Sequence, residues 1–111
     1  MNESVGHLAD PFQPAVIRLI RRVIEAAARE GRWVGMCGEM AGTPLAIPLL
    51  AGMGLHEFSM SAGAILPARA LLARLRVGGL AHLAETAANL DTAEEVAAFL
   101  RREVPDIADF E

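Results

Sequence analysis

Apolar and polar positions follow two different periods along the first third of the chain. From Ala15 to Glu30 apolar residues recur every three or four positions, with arginines and glutamates filling the other face, which predicts an amphipathic helix. Pro14 suits the first turn of this helix and Gly31 suits its end. Residues Trp33–Cys37 are short, apolar and bounded by glycines, so they predict a strand buried on both faces, as the strands of parallel sheets are.

The same alternation of helix and strand continues downstream. The pattern predicts a loop at Gly38–Gly42, a helix at about Pro44–Met53, a strand at Glu57–Ser61 and helices at about Pro67–Arg76, Leu80–Asn89 and Thr92–Val104. Gly78-Gly79 is expected to separate two of these helices. Thr92 and Glu95 have the spacing of a helix capping box.

The order of these elements, α-β-α-β-α-α-α, indicates an α/β fold with parallel strands. Two parallel strands form a very small sheet with two open edges, and such a sheet needs cover on both faces. A fragment of a (β/α)8 barrel would have this order of elements. We therefore expect residues 1–111 to form a single partial domain of such a barrel, with C-terminal helices at 77–111, and we expect self-association to complete its sheet.

Composition supports an incomplete unit. The chain has 111 residues, enough for one domain, and 53 % of them are hydrophobic. The ten glycines raise the apolar share to about 62 %, against roughly 45–50 % in an ordinary domain. Either much of the surface meets another subunit, or the chain comes from something larger. A simpler explanation is that alanines, which are good helix formers, raise the count.

The charge and the lack of targeting or membrane-spanning patterns exclude several classes of protein. The net charge is −4 and no basic cluster exceeds Arg21-Arg22 or Arg101-Arg102, which argues against binding to nucleic acid or to anionic membranes. One cysteine excludes an internal disulfide, and the N-terminus lacks the pattern of a signal peptide. The longest uncharged run, Met40–Leu55, is shorter than the ~20 residues of a membrane helix. These features predict a soluble, cytoplasmic protein.

Cys37 is the first candidate for chemistry. It ends a predicted strand, and functional groups of α/β folds gather at the C-terminal ends of strands. A thiol with the ordinary pKa of about 8.5 is mostly protonated at neutral pH, so it could act as a general acid. Cysteine is also a common small buried hydrophobe, and that alternative stays open on position alone.

Other polar and sulfur-containing residues give weaker signals. Glu39 could bind metal or orient a neighbour, but a solvated loop charge is the simpler interpretation, because nothing nearby supplies the other ligands of a metal site. The three histidines have no metal spacing and are interpreted as surface or packing residues: His7, His56 and His82. Four methionines in or beside apolar runs are expected to fill the core: Met36, Met40, Met53 and Met60.

Two motifs about twenty residues apart carry a family resemblance. Gly35–Gly42 reads GMCGEMAG and Gly52–Ser61 reads GMGLHEFSMS. Together they resemble the active-site segment of the enzyme I family, the phosphoenolpyruvate (PEP)–protein phosphotransferases. The lead-in at His7-Leu8, Gln13–Val16 and Gly31–Val34 matches in order and spacing, so the resemblance covers about residues 2–76 well. Pyruvate phosphate dikinases and PEP synthases carry related CGE or CGQ loops, but EFSMS favours enzyme I.

The resemblance implies a (β/α)8 barrel that binds PEP and magnesium, and it implies that this chain is the C-terminal portion of that barrel. In that family phosphate passes to a histidine on a separate domain and then to the carrier protein HPr for sugar uptake. The cysteine protonates the enolpyruvate left behind, so Cys37 is the expected proton donor. The family's substrate arginines, magnesium ligands and phosphorylated histidine lie upstream of the matched stretch. This chain is therefore expected to lack magnesium ligands and to be inactive alone. His56 stands where an aspartate is usual.

Two further hypotheses remain open. The barrel domain of the enzyme I family is also its dimerisation domain, so this chain could be an interaction module that forms homo-oligomers. Alternatively, it could be an independent small thiol protein such as a redox sensor, which would need a reactive thiolate at Cys37.

Overall fold

The computed structural model describes residues 10–111. Two strands alternate with helices in the first half, and helices alone form the second half. The elements are α1 (Pro14–Arg29), β1 (Gly35–Cys37), α2 (Glu39–Gly42), α3 (Ile47–Met53), β2 (Glu57–Ser59), α4 (Ala62–Arg74), α5 (Val77–Ala88), α6 (Ala93–Glu103) and a 3-10 helix (Pro105–Asp109). The predicted mixed α/β class with two parallel strands is confirmed.

A glycine in the left-handed region ends α1, as the sequence predicts. Gly31 has φ +65°, and its amide donates to the Ala28 carbonyl oxygen at 3.2 Å. The next amide, that of Arg32, donates to the Ala27 carbonyl oxygen at 2.8 Å. This pair of hydrogen bonds is the Schellman motif, which satisfies carbonyls that the helix leaves free at its end. The chain then turns sharply from α1 towards β1.

The two strands form a parallel ladder three residues long. Gly35 pairs with Glu57, Met36 with Phe58, and Cys37 with Ser59. Just before the ladder, the His56 and Glu57 amides both donate to the Val34 carbonyl oxygen, at 3.0 and 3.3 Å. The register therefore brings the ends of β1 and β2 to the same edge of the sheet.

The core lies between the helices. Its main cluster joins residues of α1, α3, α5 and α6, and its members with essentially no exposed surface include Ile17, Leu49, Leu50, Val96 and Leu100. A smaller cluster of Ile47, Ala68 and Leu71 ties α3 to α4. The four methionines pack half-buried against these clusters, in agreement with the expectation from sequence.

The strands are not buried on both faces, so that prediction is wrong for this chain. Met36 and Phe58 are half-buried and pack against the main cluster. Their neighbours along each strand are exposed: Gly35, Cys37, Glu57 and Ser59. Because successive side chains of a strand point to opposite faces, one face of the sheet is covered by helices and the other is open.

Three helix boundaries also differ from the sequence prediction. The predicted loop at Gly38–Gly42 contains the short helix α2, and α4 begins at Ala62, so that Pro67 lies inside it. Pro67 removes one hydrogen bond, to the Gly63 carbonyl, but both residues are exposed and water can satisfy that group. Gly78-Gly79 lies in the first turn of α5 rather than between helices. Glycine there costs about 1 kcal/mol and does not forbid helix.

The capping prediction at α6 is confirmed in its main contact. The Thr92 side chain accepts a hydrogen bond from the Glu95 amide at 3.1 Å. The Glu95 carboxylate reaches back to the Asp91 amide, at 3.1 Å, instead of to the Thr92 amide. Within residues 10–111, no helix is both long and apolar enough to cross a membrane.

Candidate functional site

Cys37 and Ser59 lie side by side at the C-terminal ends of β1 and β2. They are the last in-register pair of the parallel ladder, and both are exposed on its open face. The side chains of paired residues in a parallel sheet project to the same face, on strands about 4.8 Å apart. Cys37 is a free thiol on the surface of the described chain, so it is not the small buried hydrophobe that its residue type also allowed.

These strand ends form one wall of an open cleft of about 600 Å³. Both ends of α2, the segment that leads into α4 and the first turn of α4 complete it. The cleft is lined by Cys37, Gly38, Glu39, Gly42, Ser59, Met60, Ser61 and Ala64. Apart from Ala64 of α4, all of these residues come from the two sequence motifs, Gly35–Gly42 and Gly52–Ser61.

Gly38 turns the chain directly after the cysteine. Its φ of +110° and ψ of 178° place it in a region that essentially only glycine occupies. A Cβ at this position would meet nothing within 4 Å, so the backbone conformation alone requires glycine. The turn allows Glu39 to start α2 at the rim of the cleft, and Thr43 Oγ1 closes α2 by donating to the Glu39 carbonyl oxygen at 2.8 Å.

Gly42 allows α2 to approach the other wall. A Cβ on Gly42 would lie 3.0 Å from the Met60 Cβ and 3.1 Å from the Ala64 Cβ. A larger residue would therefore push α2 away from the segment that leads into α4. The two motif segments are thus held together by the close approach of α2 at Gly42 and by the hydrogen bonds of the ladder.

His56 does not enter the cleft. Its Nδ1 accepts a hydrogen bond from the Val34 amide at 3.2 Å, on the side of the sheet where the strands begin. The histidine therefore contributes an acceptor at a position where a carboxylate would do the same. His82 is exposed on α5 and is not among the described residues that line the cleft, whereas His7 lies outside the described residues.

The described residues that line the cleft and the open sheet face include two acidic side chains and no basic one. Glu39 lines the cleft, and Glu57 lies on the same face as Ser59, two residues earlier. Residues 10–111 contain no group of three or more histidine, cysteine, aspartate or glutamate side chains that could hold a metal ion. The site as described therefore offers a thiol, two serine hydroxyls and an open face, without a metal-binding set.

Sequence analysis proposed Cys37 as a site residue and interpreted Glu39 as a solvated loop charge, and it did not single out Ser59 or Ser61. The missing signal was the pairing of strands. Once two short strands are placed in parallel, the residues at their ends must meet at one edge of the sheet. Ser59 and Ser61 belong to the EFSMS motif, so the sequence marks them as part of a family pattern. It does not indicate that they lie near the thiol.

The fold and the cleft define a small α/β unit with a thiol at the end of a parallel strand, and comparison with known proteins gives its class. The model of the family described as "PEP-utilising enzyme, PEP-binding domain" matches residues 1–77. The match covers more than two-thirds of the chain, and the chain belongs to the PEP-utilising enzyme family.

Particular relatives are the phosphoenolpyruvate-protein phosphotransferases. That of Geobacillus stearothermophilus is 59 % identical over 102 residues, which are 92 % of this chain and 18 % of the relative. That of Bacillus subtilis (strain 168) is 54 % identical over 101 residues, 91 % of this chain and 18 % of the relative. That of Staphylococcus carnosus (strain TM300) is 53 % identical over 96 residues, which are 86 % of this chain and 17 % of the relative. The resemblance carried by the two motifs is confirmed, and the chain spans less than a fifth of the length of these relatives.

Proposed function

We propose that this chain is the part of a PEP–protein phosphotransferase that supplies the proton for enolpyruvate, with Cys37 as the donor. The observation that carries the proposal is the position of an exposed thiol at the C-terminal end of a parallel strand, on a cleft built from the two family motifs. Functional groups of barrel enzymes lie at that end of the strands. Among the described residues that line the cleft, Cys37 carries the only thiol.

The proposed step is a single proton transfer. Departure of the phosphoryl group from PEP leaves the enolate of pyruvate. The Cys37 S–H bond breaks, a C–H bond forms at the methylene carbon, and the electron pair of the enolate collapses into the ketone. The products are pyruvate and a thiolate, which then takes a proton from water. A positioned general acid of this kind typically contributes 10²–10⁴-fold in rate.

The open face of the sheet supports completion of a barrel. Cys37, Ser59, Gly35 and Glu57 all lie on this face, and helices cover the opposite one. In a (β/α)8 barrel the helices pack outside the strands, and the inward-facing residues form the interior. The exposed face of this chain corresponds to that interior, so further strands would enclose Cys37 in a barrel mouth.

We place the remaining groups of the reaction outside this chain. The magnesium implied by the resemblance finds no fitting ligand set among the described residues, so the proposed step involves the thiol alone. Substrate-binding arginines, magnesium ligands and the histidine that passes phosphate to HPr would come from the rest of the barrel and from a further domain. The chain is therefore proposed to be inactive alone and to act in cytoplasmic sugar uptake as part of a larger enzyme.

Complementation tests this proposal. The Geobacillus stearothermophilus relative, shortened to remove the stretch that matches this chain, is mixed with the chain, PEP, magnesium and HPr, and pyruvate is followed. Pyruvate should form only in the mixture and should be lost with Cys37→Ala. Unchanged pyruvate formation by Cys37→Ala, with each part folded, would contradict the assignment.

Exposed apolar side chains favour a second candidate function, an oligomerisation module. Trp33 is 70 % exposed beside the open sheet face, and Leu66 on α4 is 74 % exposed. Two copies that covered these surfaces and the open sheet edges would bury them without any other part of the enzyme. Light scattering over a concentration series should show the average mass rising. A strict monomer at high concentration would rule out self-association.

A further inference from the structure

The register of the ladder places one hydroxyl beside the thiol. Cys37 and Ser59 are Cα partners at the last position of a parallel pair, on the same open face. Ser61, the other hydroxyl of the cleft, lies beyond the strand at the N-cap of α4 and has no partner in the ladder. Ser59 is therefore held in a fixed lateral position relative to Cys37, while Ser61 is not.

Neither side chain is occupied elsewhere. In the described part of the chain, neither the Ser59 hydroxyl nor the Cys37 thiol makes a hydrogen bond to another residue. A serine hydroxyl rotates to suit its surroundings and can donate one hydrogen bond. A thiolate accepts hydrogen bonds more strongly than a thiol, because bonds to an ionised acceptor are shorter and stronger.

We propose that Ser59 is a positioning residue for Cys37, and that its hydroxyl donates a hydrogen bond to the thiolate, directly or through one water, once the proton has left. Negative charge develops on Sγ as the proton departs, so a donor aimed at Sγ stabilises the transition state more than the ground state. The inference rests on the proposed function for its role in catalysis, but the contact itself depends only on the ladder.

The charged groups near the pair do not provide an alternative donor. Glu39 from α2 and Glu57 from β2 are acceptors when ionised. The only residue of α4 that lines the cleft is Ala64, so neither Arg69 nor Arg74 of that helix takes part in the described cleft. His56 is directed to the Val34 amide at the other end of the strands. Ser59 is thus the one side-chain donor in register with the thiol among the described residues.

The pH dependence of thiol alkylation tests the contact on the chain itself. The rate of alkylation by iodoacetamide is measured from pH 6 to pH 10, and its midpoint reports where the thiolate forms. Loss of a donor to the thiolate should move the midpoint of Ser59→Ala about 0.5–1 pH unit higher than that of the unmodified chain. Ser61→Ala is the matched control and should leave the midpoint unchanged.

A second pair of variants separates the hydroxyl from packing. Threonine and valine have the same shape and both suit a strand, but only threonine has a hydroxyl. Ser59→Thr should keep the midpoint, whereas Ser59→Val should raise it as Ser59→Ala does. Circular dichroism confirms that each variant is folded. Equal midpoints for Thr and Val would overturn the proposal, as would a shift in Ser61→Ala as large as that in Ser59→Ala.

The two proposals fail in different ways. An unmoved midpoint in Ser59→Val, together with loss of pyruvate in the complementation assay of Cys37→Ala, would refute the positioning role and leave the proton donor in place. A moved midpoint, together with full pyruvate formation by Cys37→Ala, would confirm the contact and refute the proposed function.

Discussion

A single added methyl group at Gly52 should destabilise the packing of α3 on α5. Built onto the backbone, a Cβ at Gly52 falls onto the Leu80 carbonyl oxygen, 2.8 Å from its carbonyl carbon and 3.2 Å from the Ala84 Cβ. The obstacle is mainly backbone, which cannot rotate away, so one helix must shift. Overpacking costs about 1–3 kcal/mol in general, and a backbone obstacle places Gly52→Ala in the upper part of that range, at about 2–3 kcal/mol. The better helix propensity of alanine returns only about 1 kcal/mol.

The expected net loss for Gly52→Ala is about 1–2 kcal/mol of unfolding free energy, or a Tm lower by roughly 5–10 °C. Urea titration and thermal melting followed by circular dichroism measure it. Gly79→Ala is the control on the partner helix, because a Cβ there meets nothing within 4 Å. That variant should gain about 0.4–1 kcal/mol. If Gly52→Ala were as stable as the unmodified chain, the close approach of the two helices would be wrong.

Four further substitutions test three smaller contacts. His56→Ala should cost about 0.5–1 kcal/mol in a urea titration, because the Val34 amide loses its acceptor, while His56→Asp should keep most of that stability. Thr92→Ala removes an N-cap and should cost about 1 kcal/mol by the same measurement. The hydrogen bond from Arg101 lowers the pKa of Glu111, so its stabilisation is present above the ordinary glutamate range and is lost as the pH falls below about 4. The stability difference between the unmodified chain and Arg101→Gln should therefore shrink between pH 6 and pH 3; a constant difference would contradict this contact.

The sequence predicted which segments form helices and strands better than it predicted how deeply these elements are buried. The end of α1 at Gly31 and the cap of α6 at Thr92 depend on short-range backbone chemistry, and both follow the prediction. The predicted burial of both strand faces was wrong. An apolar run such as Trp33–Cys37 is suited to a strand that is covered on both faces. In this chain one face of the sheet has no cover, so the strand is only half-buried.

The residues of the candidate site also differ in whether the sequence alone could reveal them. Residue type and place at a strand end made Cys37 a candidate, and the two motifs predicted the family and, through it, a role for this thiol. Ser59 could not be found in that way, because its relation to the thiol depends on the register between two strands that are separated by α2 and α3. Pro67 was misjudged for a related reason. A proline is tolerated within α4 because its neighbourhood is exposed, and exposure depends on tertiary structure.

Hydrogen exchange at the methyl group of pyruvate tests the central claim most directly. In the complemented enzyme, pyruvate in heavy water should exchange its methyl protons through the same enolate, and proton NMR follows the loss of signal without any phosphoryl transfer to HPr. We expect Cys37→Ala to slow this exchange at least 100-fold, in line with the contribution of a positioned general acid. Exchange at an undiminished rate in a folded, complemented Cys37→Ala enzyme would show that another group handles the proton and would contradict the account.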